Sequence, residues 1–123
     1  MKLELLPDRF SVCRLKDGEL PASILSRETV FFARTDGEVS LVCREAFAPA
    51  CAEAREDGWR AFRVVGILDF SLTGILARLA QILAGAQIPI FAQSTYNTDY
   101  ILIREEHLDR AVSALREKGY EWL

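Results

Sequence analysis

The chain has 123 residues, of which 50% are hydrophobic and 27% charged; this length holds one ordinary domain or two very small ones, with apolar mass enough for a real core. Fifteen Lys and Arg residues against eighteen Asp and Glu leave a net charge of -3, which argues against an electrostatic nucleic-acid binder presenting a basic face. No apolar run approaches the roughly 20 residues of a membrane span, and the opening MKLELLPDRF carries acidic residues and no apolar stretch, unlike a secretory leader; the cytoplasm is the expected compartment, and neither nucleic acid nor membrane an expected partner.

Residues 10–15 (FSVCRL) alternate apolar and polar side chains as a half-buried strand does, and meet a turn at Lys16-Asp17-Gly18. Residues 21–25 (PASIL) suffice for one helical turn at most. Residues 29–43 predict a hairpin. Asp36-Gly37 makes a favoured two-residue turn, because Gly takes positive φ at little cost and Asp tolerates it. Val30, Phe32, Val39 and Leu41 flank it as β-formers. A short helix is expected over residues 51–56, stopped by Asp57-Gly58. Residues 59–68 are a strand rich in aromatic and β-branched side chains, and residues 69–74 turn the chain. Residues 72–86 carry Leu72, Ile75, Leu76, Leu79, Ile82 and Leu83 at helical spacing. A strand over 87–95, a turn at Tyr96-Asn97 and a strand over 98–103 follow. Residues 105–119 predict an amphipathic helix with Leu108, Ala111, Val112 and Leu115 on one face. Glu105 and Glu106 suit its start, Arg116 and Lys118 its end, and Gly119 its stop. Residues 120–123 add a last short strand.

The order over the second half is β-α-β-β-α-β, a ferredoxin-like unit of the α+β class. Its strand over 87–95 belongs at a sheet edge, where Pro89 is tolerated because it has no N–H to donate. The first half reads as a shortened version of the same unit. The chain is therefore expected to be two pseudo-repeats, residues 1–58 and 59–123, in one compact body. Cys13, Cys43 and Cys51 are odd in number and form no CxxC pair; Cys13 and Cys43 sit in apolar alternation, as core residues do. His107, the single histidine, lies beside Glu105 and Glu106 as a solvated first-turn residue. This stock assembles neither a zinc site nor a Cys–His or Ser–His–Asp triad, so no metal, no cofactor and no catalysis are expected.

Two segments break the core pattern. In DFSLTG, Ser71 is a good N-cap, with Thr73 and Gly74 in the first turn. A helix start offers unpaired N–H groups and the positive end of the dipole, where a carboxylate or phosphate docks; a plain capped helix gives the same sequence. In STYNTD, Asp99 shares strand parity with Ile101 and Ile103, which places its carboxylate at the margin of the buried face. An unpaired carboxylate there wants a cation or several N–H donors. Ser94, Thr95 and Asn97 add short polar groups, and a turn network centred on Asn97 would use the same residues. Both segments fall toward one end of the sheet, one with donors for an anion and one with acceptors for an ammonium. Together they suit a zwitterion such as a free amino acid. The helix over 72–86 adds a third feature: only Arg78 and Gln81 break its apolar stretch, so a second body, the first half or another subunit, is expected against it.

The run WRAFRVVGILDFSLTGILARLAQILAGAQIPIFAQSTYNTDYILI resembles the ACT domain, the small regulatory module of amino-acid metabolism. LDFSLTGILARL, IPIFAQST and YNTDYILI are similar to those of the compact tandem-ACT proteins of bacteria, relatives of the ACT-fold cytosolic arginine sensors of animals. RTDGEVSLVC and Trp59 fit that group's degenerate leading ACT unit. The resemblance implies a non-enzymatic protein that binds an amino acid or similar small effector at an ACT–ACT interface, in a homodimer. It places the effector against Leu68, Asp69, Phe70, Ser71, Thr73 and Gly74, against the edge strand at Ile88 and Ile90, and against Ser94, Thr95, Asn97 and Asp99. The other reading is an interaction module whose edge strand and apolar helix assemble homodimers or cap another protein, with no small-molecule ligand. RNA binding on such a sheet wants stacking aromatics in an RNP1-like strand, and residues 98–103 offer Tyr100 alone.

Overall fold

The computed structural model describes residues 1–16 and 22–123. The turn predicted at Asp17-Gly18 and the Pro21 start of the next segment lie outside the described residues. In chain order the elements are β1 (Lys2–Leu15), α1 (Ala22–Leu25), β2 (Phe31–Arg34), β3 (Val39–Arg44), β4 (Ala54–Val64), α2 (Ile75–Gly85), β5 (Phe91–Ser94), β6 (Asp99–Arg104), α3 (Leu108–Glu117) and β7 (Glu121–Trp122). Single 3-10 turns stand at Glu45–Phe47 and Glu105–His107. The chain divides into two compact units, one of Met1–Pro7 with Arg60–Leu123 and the other of Asp8–Trp59.

The C-terminal unit has the predicted ferredoxin-like α+β architecture, with strand order β1-β4-β6-β5 and β5 at the edge. The position beside β4 is filled by the start of β1, and β7 joins β1 in parallel through Lys2–Glu121 and Leu3–Trp122. Period-two alternation explains the shared face. Leu3, Phe62, Val64, Ile101 and Ile103 point one way and meet Leu79 and Leu83 of α2 and Ala111 and Leu115 of α3. Phe62 and Trp122 close one side of this core edge-on, with ring centroids 5.2 Å apart.

Both helices stop through paired backbone bonds that satisfy their last carbonyls. In α3, Tyr120 N–H donates to Leu115 O and Gly119 N–H to Arg116 O, both at 3.1 Å, with Gly119 at φ +94°. In α2, Ile88 N–H donates to Leu83 O and Gln87 N–H to Ala84 O, both at 2.9 Å, with Gln87 itself left-handed at φ +59°. The strand predicted over 87–95 therefore shortens to Phe91–Ser94, because residues 86–88 are spent in ending the helix.

Two expectations are corrected. The helix predicted from residue 72 begins at Ile75, and its cap is Gly74 at φ +80°, not Ser71. The helix predicted over 51–56 is absent; β4 starts at Ala54 and runs through Asp57-Gly58. Gly58 takes φ +80° inside the strand, so the glycine that reads as a helix stop instead lets an extended chain pass through a left-handed residue. On α2 the outward side carries the two polar breaks, Arg78 and Gln81, among small residues. Leu79 and Leu83 are fully buried and Ile75, Leu76 and Ile82 pack on the core of their own unit, while Ala77, Arg78, Gln81, Ala84 and Gly85 face outward.

In the N-terminal unit β3 pairs with both β1 and β2, and Cys13, Leu15, Ile24, Val39, Leu41 and Cys43 form the core. Ser11, fully buried, is satisfied by donating its hydroxyl to Asp57 at 2.5 Å, and Arg55 grips the same carboxylate at 2.8 Å. Arg55 first and Ser11 second hold the Asp57 carboxyl below the usual carboxylate range. Cys13 and Cys43 are buried as expected, and Cys51 is exposed. The hydrogen bond to Cys13, then burial, pushes the Cys43 thiol up. A thiol reagent is expected to modify Cys51 alone in the native protein at neutral pH and all three cysteines in denaturant; rapid labelling of Cys13 or Cys43 without denaturant would contradict the burial.

The two units share a hairpin, position for position. Phe31 faces Val42 and Arg34 faces Val39 in one; Phe91 faces Leu102 and Ser94 faces Asp99 in the other. Thr35 N–H donates to Glu38 O at 3.0 Å, closing the predicted Asp36-Gly37 turn, and Thr95 N–H donates to Thr98 O at 2.8 Å around Tyr96-Asn97. Each hairpin runs straight into a 3-10 turn opened by Arg-Glu, at Arg44-Glu45 and Arg104-Glu105.

Candidate functional site

Two backbone-anchored contacts bring the predicted loops of the C-terminal unit together. Leu68 N–H donates to Asn97 O at 2.7 Å, and the buried Thr98 hydroxyl donates to Val64 O at 2.7 Å. The second hairpin is thereby pinned beside the turn that follows β4. A cavity of about 320 Å³ opens between them, at the small end of ligand-sized pockets. The first turn of α2 forms one wall, with Gly74, Ile75, Leu76 and Ala77; residues 94–99 form another.

The α2 wall is a row of donors. The first amide with an intrahelical acceptor is that of Arg78, bonded to Gly74 O at 2.9 Å. The N–H groups of Ile75, Leu76 and Ala77 therefore have no partner within the helix, and they sit at the positive end of its dipole. The left-handed Gly74 turns the chain into the helix with no side chain of its own. On the opposite wall the partly buried Asp99 accepts the Ser94 hydroxyl on Oδ1 at 2.5 Å, so one carboxylate oxygen is held by the hairpin itself.

Of the residues marked from the sequence, Leu68, Asp69, Phe70, Gly74, Ser94, Thr95, Asn97 and Asp99 line this cavity. Four lie elsewhere. Ser71 is drawn back into its own turn: its N–H and hydroxyl both donate to Asp69 Oδ1, at 2.8 and 2.6 Å. That pair, the hydroxyl first, holds the Asp69 carboxyl below its usual range. Thr73 lines a neighbouring hollow with Arg78, Lys118 and Tyr120. Ile88 is 3% exposed and belongs to the core, and Ile90 packs against it. Sequence reasoning missed Leu72, Ile75, Leu76, Ala77, Tyr96 and Thr98, which also line the cavity. The signal for Ile75 to Ala77 was Gly74 itself, since a glycine after a polar turn marks where the helix can start.

Among the described residues no cluster of His, Cys, Asp and Glu is arranged to hold a metal ion, and no helix is long and apolar enough to cross a membrane. In the N-terminal unit the matching hairpin loop also borders an opening, of about 730 Å³, lined by residues 34–39 with Arg14, Leu15, Lys16 and Glu53. There Val39 stands where the other hairpin has Asp99, and Arg34 where it has Ser94. The helix of that unit, α1, has four residues.

The fold is that of a small ferredoxin-like α+β unit. The ACT domain family model matches residues 54–117, and the chain belongs to the ACT domain family. It is similar to a protein of Agobacterium tumefaciens of known crystal structure, with 31% identity, a TM-score of 0.89, and coverage of 99% of this chain and 91% of that one. A Vibrio cholerae protein of unknown function aligns at 21% identity and a TM-score of 0.72, over 94% of this chain and 88% of its own. The regulatory subunit of aspartate kinase from Thermus thermophilus shares the fold at 13% identity and a TM-score of 0.65, over 95% of this chain and 97% of that subunit.

Proposed function

We propose that this ACT-family protein is a non-enzymatic regulatory protein of the cytoplasm that binds a free amino acid in the cavity between α2 and the second hairpin. The observation that carries the reading is that the residues of the first turn of α2, whose amides have no partner within the helix, and Asp99 line the same cavity. The ligand's α-carboxylate is taken by the N–H groups of Ile75, Leu76 and Ala77. Its ammonium goes to Asp99, whose second oxygen lies beyond the bond to Ser94. The same pairing has no use for a neutral molecule or a simple anion. ACT domains are regulatory modules, and the Thermus thermophilus relative in fold is by name a regulatory subunit.

The site belongs to the second of two ACT units in this reading. The leading unit, centred on Asp8–Trp59, is degenerate, as in the compact bacterial tandem-ACT proteins related to the arginine sensors. In support, the two hairpins match in register, turn bond and following 3-10 turn, whereas the leading hairpin has Val39 in place of the carboxylate. The proposed assembly is a homodimer.

The test is a melting screen with each free amino acid at millimolar concentration. A ligand present at 100 times its Kd stabilises the folded state by about 2.7 kcal/mol, which a melting curve resolves easily. At least one amino acid is expected to raise the transition temperature in a concentration-dependent way; no shift from any of them would remove the reading.

A further inference from the structure

The walls of the cavity also carry information about the side chain of its occupant. Fourteen residues line it, and among them the charged side chains are Asp69 and Asp99, with no Lys or Arg. Resting on the amino-acid reading above, we infer that the ligand is an α-amino acid with an apolar side chain, which lies against the ring pair Phe70–Tyr96.

Charge excludes the alternatives one at a time. An acidic side chain would bring a second negative charge into a space whose anion-accepting groups, the α2 amides, are already taken by the α-carboxylate. It would meet two carboxylates and no cation, so like charges would repel it. A basic side chain would need an acceptor beyond Asp99. The other carboxylate, Asp69, is exposed: its Oδ1 takes the N–H and the hydroxyl of Ser71, and its Oδ2 is left to water. A second cation therefore finds only a carboxylate that is fully at the surface, where an ion pair is worth little.

The apolar groups give the positive half. Phe70 and Tyr96 touch edge to face, with ring centroids 5.0 Å apart and planes at 85°. Their contact ties the turn after β4 to the tip of the second hairpin, over the cavity both line. Yet they are 76% and 77% exposed, and Leu72 on the same rim is 54% exposed. Aromatic rings in contact with each other at a cavity mouth, with most of their surface in water, are a source of affinity for whatever apolar surface covers them. A branched or aromatic ligand side chain reaches them from an amino-acid backbone fixed between α2 and Asp99; glycine does not.

Calorimetric titration of the protein with leucine, phenylalanine, glycine, lysine and glutamate tests this. Leucine or phenylalanine is expected to bind at least about tenfold more tightly than glycine or lysine, a difference of about 1.4 kcal/mol, and glutamate to give no detectable heat. Phe70→Ala and Tyr96→Ala, both at exposed positions, are expected to erase the preference for leucine and phenylalanine over glycine. Equal or tighter binding of lysine or glutamate, or an unaltered preference in both variants, would overturn the apolar assignment and leave the amino-acid reading standing. No heat from any of the five removes both. Light scattering on the same variants closes the remaining route: if Phe70→Ala splits a dimer and weakens glycine as much as leucine, the rings are covered by a second copy and not by the ligand, and the inference is wrong.

Discussion

Asp99→Ala is expected to weaken amino-acid binding on the order of a hundredfold, roughly 3 kcal/mol, the cost of leaving an ammonium without its charged partner. Calorimetric titration with whichever amino acid the melting screen selects measures it. The effect should fall on binding and spare the fold. Asp99 is only partly buried, and its Oδ1 accepts one bond, from the exposed Ser94 hydroxyl; losing a hydrogen bond at such a position costs about 1 kcal/mol or less. Asp99→Asn keeps the shape and an acceptor oxygen but not the charge, so its loss should lie between the wild type and the alanine variant. Ser94→Ala frees Oδ1 and should change affinity by a few-fold at most. An Asp99→Ala protein that binds as well as the wild type would take the carboxylate out of the site, and with it the argument for a zwitterion.

What could be read from the sequence follows from how local each determinant is. Both hairpins were legible because their turns are set within four residues: Asp36-Gly37 and Tyr96-Asn97 are each closed by a threonine whose N–H bonds across the turn. The C-terminal unit was legible because α3 and its Gly119 stop, the strands, and the Leu79 and Leu83 face of α2 all follow period and capping rules. The start of β1 was not. Leu3 is buried because the strand fills the place beside β4 that the last strand of the repeat would otherwise take, and no neighbour in sequence announces that. Gly58 misled because the same φ suits a helix stop and a kinked strand. Ser71 misled because an aspartate two residues earlier competes for its hydroxyl and N–H, and a side-chain turn within three residues forms at less entropic cost than a cap. The cavity was found from its polar half, the helix start and Asp99. Of its apolar side, Leu68 and Phe70 were marked but Leu72 and Tyr96 were not, because an aromatic or leucine in a turn looks the same in sequence whether it faces a ligand or water.

Leu79→Ala should be strongly destabilising, at about 3 kcal/mol within the range of 2–5 kcal/mol found for buried leucines. Leu79 is fully buried, in one cluster with Phe62, Ile101 and Leu83, so the deleted methyl groups leave a void walled by strands on one side and two helices on the other. Urea unfolding followed by circular dichroism measures the loss. The number also decides how α2 is held. If the helix is anchored through Leu79 and Leu83 to its own sheet, the full penalty appears in dilute protein. If instead its outer row of Ala77, Ala84 and Gly85 carried the main anchor against another body, truncating Leu79 would cost under about 1 kcal/mol, and the transition would depend strongly on protein concentration. The first outcome is expected, since alanine and glycine present little area to bury. It has a consequence for ligand binding. The donors for the carboxylate are the first three amides of α2, one turn from Leu79, so a loosened helix gives them up. Saturating ligand should then stabilise Leu79→Ala by less than it stabilises the wild type. Equal increments in the two proteins would mean that the first turn stays in place when the core beneath it is hollowed.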